Sequence, residues 1–126
     1  MRANVGTEWV VDASGCRSEL LRDRLALEAL LRRAVDELGL TVVGEGAWHE
    51  FPEAGGVTGM LLLTESHLVC HTFPEHGLAT FNLYCCRPRP TWPWATRLGE
   101  ALGATDVRVT RIDRGAPVEV AEGTAG

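Results

Sequence analysis

The stretch TESHLVCHTFPEHG, Thr64 to Gly77, gathers a serine, a cysteine and three of the chain's four histidines, with an acid directly before the serine. Such a set is open to metal binding, to nucleophilic attack, or to being a strand with incidental histidines. His67 and His71 are four apart, which on a helix would put them on one face. Val69, Thr72 and the following Phe73-Pro74 favour extended chain instead. There, four residues span about 13 Å, too far for two bonds to one ion. No second ligand pair stands at zinc-site spacing, so no metal is expected.

Ser66 lacks the glycine-flanked elbow of a serine hydrolase. It lies between two strand-like runs, and a tight turn there would expose the Glu65–Ser66 peptide bond. A serine hydroxyl beside such a bond can attack the preceding carbonyl; elimination of the resulting ester leaves a chain break and a terminal keto group. Among the thiols, Cys85 and Cys86 are adjacent. Strand alternation sends Ala79, Phe81, Leu83 and Cys85 one way, an apolar set that marks Cys85 as a core thiol. It sends Leu78, Thr80, Asn82, Tyr84 and Cys86 the other way, which leaves Cys86 as the thiol available for chemistry. Cys16 and Cys70 read as buried thiols, His49 and His76 as surface or turn residues, and Trp48, Trp92 and Trp94 as packing or dimer-contact residues.

The elements that must position these groups follow from periodicity. Leu27, Leu30, Leu31, Ala34, Val35 and Leu38 recur at helical spacing from Asp23, a cap, to Gly39, a C-cap. A second helix is expected over 93–102 with Pro93 in its first turn. Strands are expected at 8–12, at 41–51 (weakened by two glycines), at 57–64 in the centre of a sheet, at 67–72, at 78–86 and at 107–113. Short connections imply antiparallel pairing. The expected fold class is α+β: a two-layer sandwich, a mainly antiparallel sheet with two helices packed on one face. Residues 1–117 are expected to form a single domain and 118–126 a flexible tail.

The chain has 126 residues, 45% of them hydrophobic, enough for one core. A net charge of −5 without a basic stripe argues against nucleic-acid binding. The arginines read as a solvated face. No apolar run is long enough to span a bilayer and the N-terminus carries no export pattern, so no membrane association, reduced thiols and a cytoplasmic location are expected.

TESHLVCHTFPEHGLATFNLYCC resembles the signature of the prokaryotic S-adenosylmethionine decarboxylases, A-E-S-H-x-x-x-H-T-W-P-E-x-G-Y-A-x-x-D-x-x-T-C-G. Glu65, Ser66, His67, His71, Thr72, Pro74, Glu75, Gly77, Ala79 and Cys86 stand at matching positions. Val10–Cys16 resembles the family's D-x-x-G-C opening, Phe51–Gly59 its F-x-P-x-G-[VY]-[ST]-G segment with one insertion, and Arg114-Gly115 an Arg-Gly near its end. The resemblance implies a proenzyme that cuts itself between Glu65 and Ser66, turning Ser66 into a pyruvoyl cofactor. That group would act as electron sink in converting S-adenosylmethionine, a small-molecule amine, to the aminopropyl donor of spermidine synthesis. It further implies that His71 assists the ester elimination and that Thr58 bonds near the reacting centre. Cys86 would reprotonate the α-carbon, Glu75 would bind the ribose hydroxyls, and Phe51 and Phe73 would flank the adenine. A homodimer of cleaved protomers is implied as well. Ser66 and His71 are an odd number of residues apart, so a turn or bulge just after Ser66 is expected to bring them together.

Four positions depart from the pattern: Phe73 for Trp, Asn82 for Asp, Arg87 for the Gly after the cysteine, and Ser14 for an aromatic. Because the altered residues surround the reacting ones, two alternatives stand beside the main reading. One is a pyruvoyl-dependent L-ornithine or L-arginine decarboxylase on the same scaffold; the other is an unprocessed, non-catalytic paralogue.

Overall fold

Asp23 accepts a hydrogen bond from the Ala26 N–H at 3.1 Å, and Gly39, in the left-handed conformation at φ 68°, closes the helix between them. This helix, Arg24–Leu38, buries Leu27, Leu30, Leu31, Ala34, Val35 and Leu38, the set marked by periodicity. The computed structural model describes residues 5–115, so the expected tail lies outside them. Its order is β1 (Gly6–Ser14), α1 (Ser18–Leu21), α2 (Arg24–Leu38), β2 (Val42–Glu50), β3 (Val57–Leu63), β4 (Ser66–Phe73), a 3-10 turn (Pro74–His76), β5 (Leu78–Cys85), α3 (Trp94–Leu102) and β6 (Asp106–Arg114). Pro93 proves to be the cap before α3 rather than part of its first turn. The short α1 was not expected, since four residues carry no readable period.

All six strands form one antiparallel sheet in the order β2-β3-β4-β5-β1-β6. The expected α+β class holds. The strand expected to be central, β3, is interior but second from an edge. The inward residues of β1, β3, β4 and β5 share one core with α2 and α3. Among the described residues no helix covers the opposite face, and Met60 and Leu62 of β3 stand exposed there. The two glycines that weaken β2, Gly44 and Gly46, both take positive φ where its register with β3 shifts, between Val43 and Ala47. Among the described residues no helix is long and apolar enough to cross a membrane.

Several motif residues turn out to be structural. Thr72 is buried; its Oγ1 donates to the Leu21 carbonyl and accepts the Val57 N–H, each at 2.8 Å, which ties β4 to α1 and β3. Gly59 lies under the Trp48 ring, where a Cβ would come within 2.2 Å of ring carbons. Trp92 and Trp94 are buried packing residues in edge-on contact at 5.0 Å. The Trp92 Nε1–H also donates to Glu37 Oε1 at 2.7 Å, where Arg97 joins it, while Arg33 holds the other oxygen at 3.0 Å. These donors, Trp92 foremost, push the Glu37 carboxyl down to about 2.

Gly59→Ala is expected to cost about 1–3 kcal/mol, the usual range for overpacking, read as a lower urea midpoint. Glu37 has a depressed pKa, so the stability it adds is present above 4.5, its ordinary value, and is lost as pH falls toward about 2. The melting-temperature gap between the native chain and Glu37→Gln should therefore be full at neutral pH and close across that window.

Candidate active site

β3 and β4 are joined by the two-residue loop Thr64–Glu65, with Leu63 and Ser66 as the closing pair. Hairpin loops of this length favour a left-handed residue, typically Gly or Asn, within the loop. Neither Thr64 nor Glu65 adopts one; the positive φ falls on Ser66, at 154°, alone among the described non-glycine residues. A non-glycine side chain in that region is strained. The strain is held from two sides. Glu65 is only 6% exposed, and its carboxylate is gripped by Arg89 at 3.2 Å (Nε to Oε1) and 2.5 Å to Oε2. Its main-chain oxygen accepts the Cys86 N–H at 3.0 Å. The carbonyl that Ser66 would attack thus already carries a donor aimed at its oxygen, the arrangement that stabilises an oxyanion.

Cys86 is exposed beside this carbonyl, whereas Cys85, paired with Ser66, points into the core, as alternation had indicated. Burial first, and then the Glu65 charge, push the Cys85 thiol up to about 11, so it stays protonated and inert. Cys86, Arg87, Arg89 and Arg111 line a cavity of about 160 Å³. On the other side of Ser66, Oγ lies 3.3 Å from His67 Nδ1. His67 Nε2 lies 3.1 Å from Asn82 Oδ1, Asn82 Nδ2 donates to Glu8 Oε2 at 2.6 Å, and Arg114 donates to Glu8 Oε1 at 2.6 Å.

A second cluster occupies the other end of β4. Thr58 and His71 face each other across β3 and β4, with Oγ1 and Nδ1 3.2 Å apart. Phe51, Phe73 and Glu75 line one cavity of about 420 Å³ together with the loop 52–54. His49 is exposed and contacts the Phe51 ring edge-on at 4.6 Å. Among the described residues no group of three or more His, Cys, Asp or Glu is placed to hold a metal ion. His67 and His71 instead have separate partners, Asn82 and Thr58.

The expected turn or bulge after Ser66 is absent. β4 pairs with β5 residue by residue from Ser66–Cys85 to Phe73–Leu78. Five residues of straight strand place Ser66 and His71 about 16 Å apart and on opposite faces. The structure therefore gathers Glu65, Ser66 and Cys86 in one place and Thr58, His71, Phe51, Phe73 and Glu75 in another.

Sequence reasoning missed Glu8 and Arg89. Asn82 stands where the resembled signature has an acid, yet Glu8 supplies a charge a single hydrogen bond away; nothing in the local sequence says that β1 lies against β5. Arg89 is one of the arginines whose pattern suggests a solvated face, and its loop shows no period that would aim it at Glu65.

The model of the S-adenosylmethionine decarboxylase family matches residues 7–115. An S-adenosylmethionine decarboxylase proenzyme of Moorella thermoacetica is 35% identical over 116 residues, covering 91% of this chain and 90% of that one. A proenzyme of the same name from Caldicellulosiruptor saccharolyticus is 32% identical over 121 residues, covering 93% and 96%. The crystal structure of the adenosylmethionine decarboxylase from Aquifex aeolicus superposes with a TM-score of 0.76 at 28% identity, covering 94% of this chain and 97% of that one. With a hairpin serine beside a hydrogen-bonded carbonyl, an exposed cysteine against it, and this likeness along nearly its whole length, the chain belongs to the S-adenosylmethionine decarboxylase family.

Proposed function

We propose that the chain is a proenzyme that cuts itself between Glu65 and Ser66, and that the processed protein decarboxylates S-adenosylmethionine to the aminopropyl donor of spermidine synthesis. The observation that carries the cleavage is the hydrogen bond from the Cys86 N–H to the Glu65 carbonyl oxygen, next to a serine held at φ 154°. Donor and strain both lower the barrier to attack on that carbonyl. The same residues suit a pyruvoyl group derived from Ser66: the new chain end would lie at the hairpin, with Cys86 exposed beside it. Such a group supplies an electrophilic carbonyl that takes up the electron pair released with CO2. Cys86 holds at Sγ the proton that returns to the α-carbon. Phe51 and Phe73 offer π-faces to a flat base and Glu75 offers a carboxylate to ribose hydroxyls, all in one cavity. L-ornithine or L-arginine would leave the two rings without a partner, which favours the adenosyl substrate.

Cleavage falls at the hairpin between β3 and β4, at the very head of β4. β1 from the first fragment lies between β5 and β6 of the second, and β3 stays paired with β4. The fragments therefore stay interlocked.

The separation of the two clusters supports a homodimer as the working form. Ser66 meets a His71 and an adenine cavity only if a second copy presents its own, and a two-fold axis then completes two sites at once. The uncovered sheet face, with Met60, Leu62 and Phe73 exposed, is the surface available for this.

A denaturing intact-mass spectrum is expected to show two fragments meeting at Glu65/Ser66, the second with a pyruvoyl terminus, and one uncut mass for Ser66→Ala. An uncut native chain that persists on incubation would sink the reading. For the dimer, Ser66→Ala and His71→Ala are each expected to stay uncut alone. Co-expressed, they should yield cleavage of the His71→Ala chain only, because that mixed pair holds one intact site. No cleavage in the mixture would argue that each chain processes itself unaided.

A further inference from the structure

Attack by Ser66 requires its hydroxyl to give up a proton, and no His71 of the same chain is within reach. His67 is. Its Nδ1 lies 3.3 Å from Ser66 Oγ, the loose contact common before a reactive pose forms. Which ring nitrogen carries the proton follows from the groups behind it. Glu8 is an acceptor only while ionised. Hydrogen bonding, from Asn82 above all and also from Arg114, holds its carboxyl below the usual range. Asn82 must therefore turn its NH2 toward Glu8, at 2.6 Å, and its Oδ1 toward His67. Against an acceptor oxygen at 3.1 Å, His67 Nε2 must carry the hydrogen. That leaves the Nδ1 lone pair facing Ser66. The logic is that of a Ser-His-Asp triad with an amide inserted between imidazole and acid. The family signature places Asp where this chain has Asn82; here the negative charge stands one link further out, on Glu8.

Building on the self-cleavage reading, we propose that His67 is the general base of the first step, with Asn82 and Glu8 as positioning residues that set its tautomer. The Ser66 Oγ–H proton passes to His67 Nδ1 as Oγ bonds to the Glu65 carbonyl carbon. The carbonyl electron pair moves onto the oxygen that accepts the Cys86 N–H. The Glu65 C–N bond then breaks, the carbonyl re-forms as an ester, and the Ser66 nitrogen takes the proton back from His67.

The test follows chain cleavage after cell-free synthesis, with near-UV circular dichroism confirming a native fold. His67→Ala and His67→Gln are expected to cleave about 100- to 10,000-fold more slowly, the usual worth of a general base. Added imidazole should restore part of the rate to His67→Ala but not to His67→Gln, whose side chain fills the space. Hydroxylamine, which cuts an accumulated ester, should leave His67→Ala intact and cleave His71→Ala, whose block lies after ester formation. Glu8→Gln, which frees the Asn82 amide to turn over, should slow cleavage less than His67→Ala does. The inference is overturned if either His67 variant cleaves at the native rate. It is equally overturned if hydroxylamine cuts folded His67→Ala, or if imidazole fails to restore it. A native chain that never cleaves would instead sink the processing reading itself.

Discussion

β4 is hydrogen-bonded on both sides, to β3 and to β5, with no register shift from Ser66 onward. A strand held this way cannot bend to bring residues five apart together. Ser66 therefore stays with Cys86 and Glu65 at one end, and His71 stays with Thr58 and the Phe51–Phe73 cavity at the other. This rigidity is the ground for the proposed homodimer. It is also what allows the hairpin at the head of β4 to store strain, because a loose strand would relax it.

The strain at Ser66 is maintained by charge as well as by pairing. Glu65 is buried, and a buried carboxylate needs a partner. Arg89 supplies it from a loop well downstream, and the Cys86 amide fixes the main-chain oxygen. After the proposed cleavage these same contacts would hold the new chain end in place. The sheet order adds to this, since strands of both fragments alternate within one sheet.

Charge has also been redistributed around the serine. Asn82 stands where the resemblance places an acid, but Glu8 and Arg114 extend the hydrogen-bonded line beyond it. A neutral amide next to the imidazole dictates a tautomer, with the negative charge one link further out on Glu8. Arg87, another of the departures, lines the small cavity beside Cys86.

Much of this was legible in the chain itself, for local reasons. Helical spacing and caps located α2. Alternation separated buried Cys85 from exposed Cys86. Both readings depend on residues a few positions apart, where backbone geometry alone sets direction; Glu65, Ser66, His71, Phe51, Phe73 and Glu75 were singled out by the resemblance instead. The tertiary structure alone decided what meets across long sequence separations. It placed Glu8 of β1 against Asn82 of β5, brought Arg89 back onto Glu65, and kept Ser66 away from His71. Those outcomes depend on strand order and register, which follow from how the whole sheet packs on its helices and leave no trace in any local pattern.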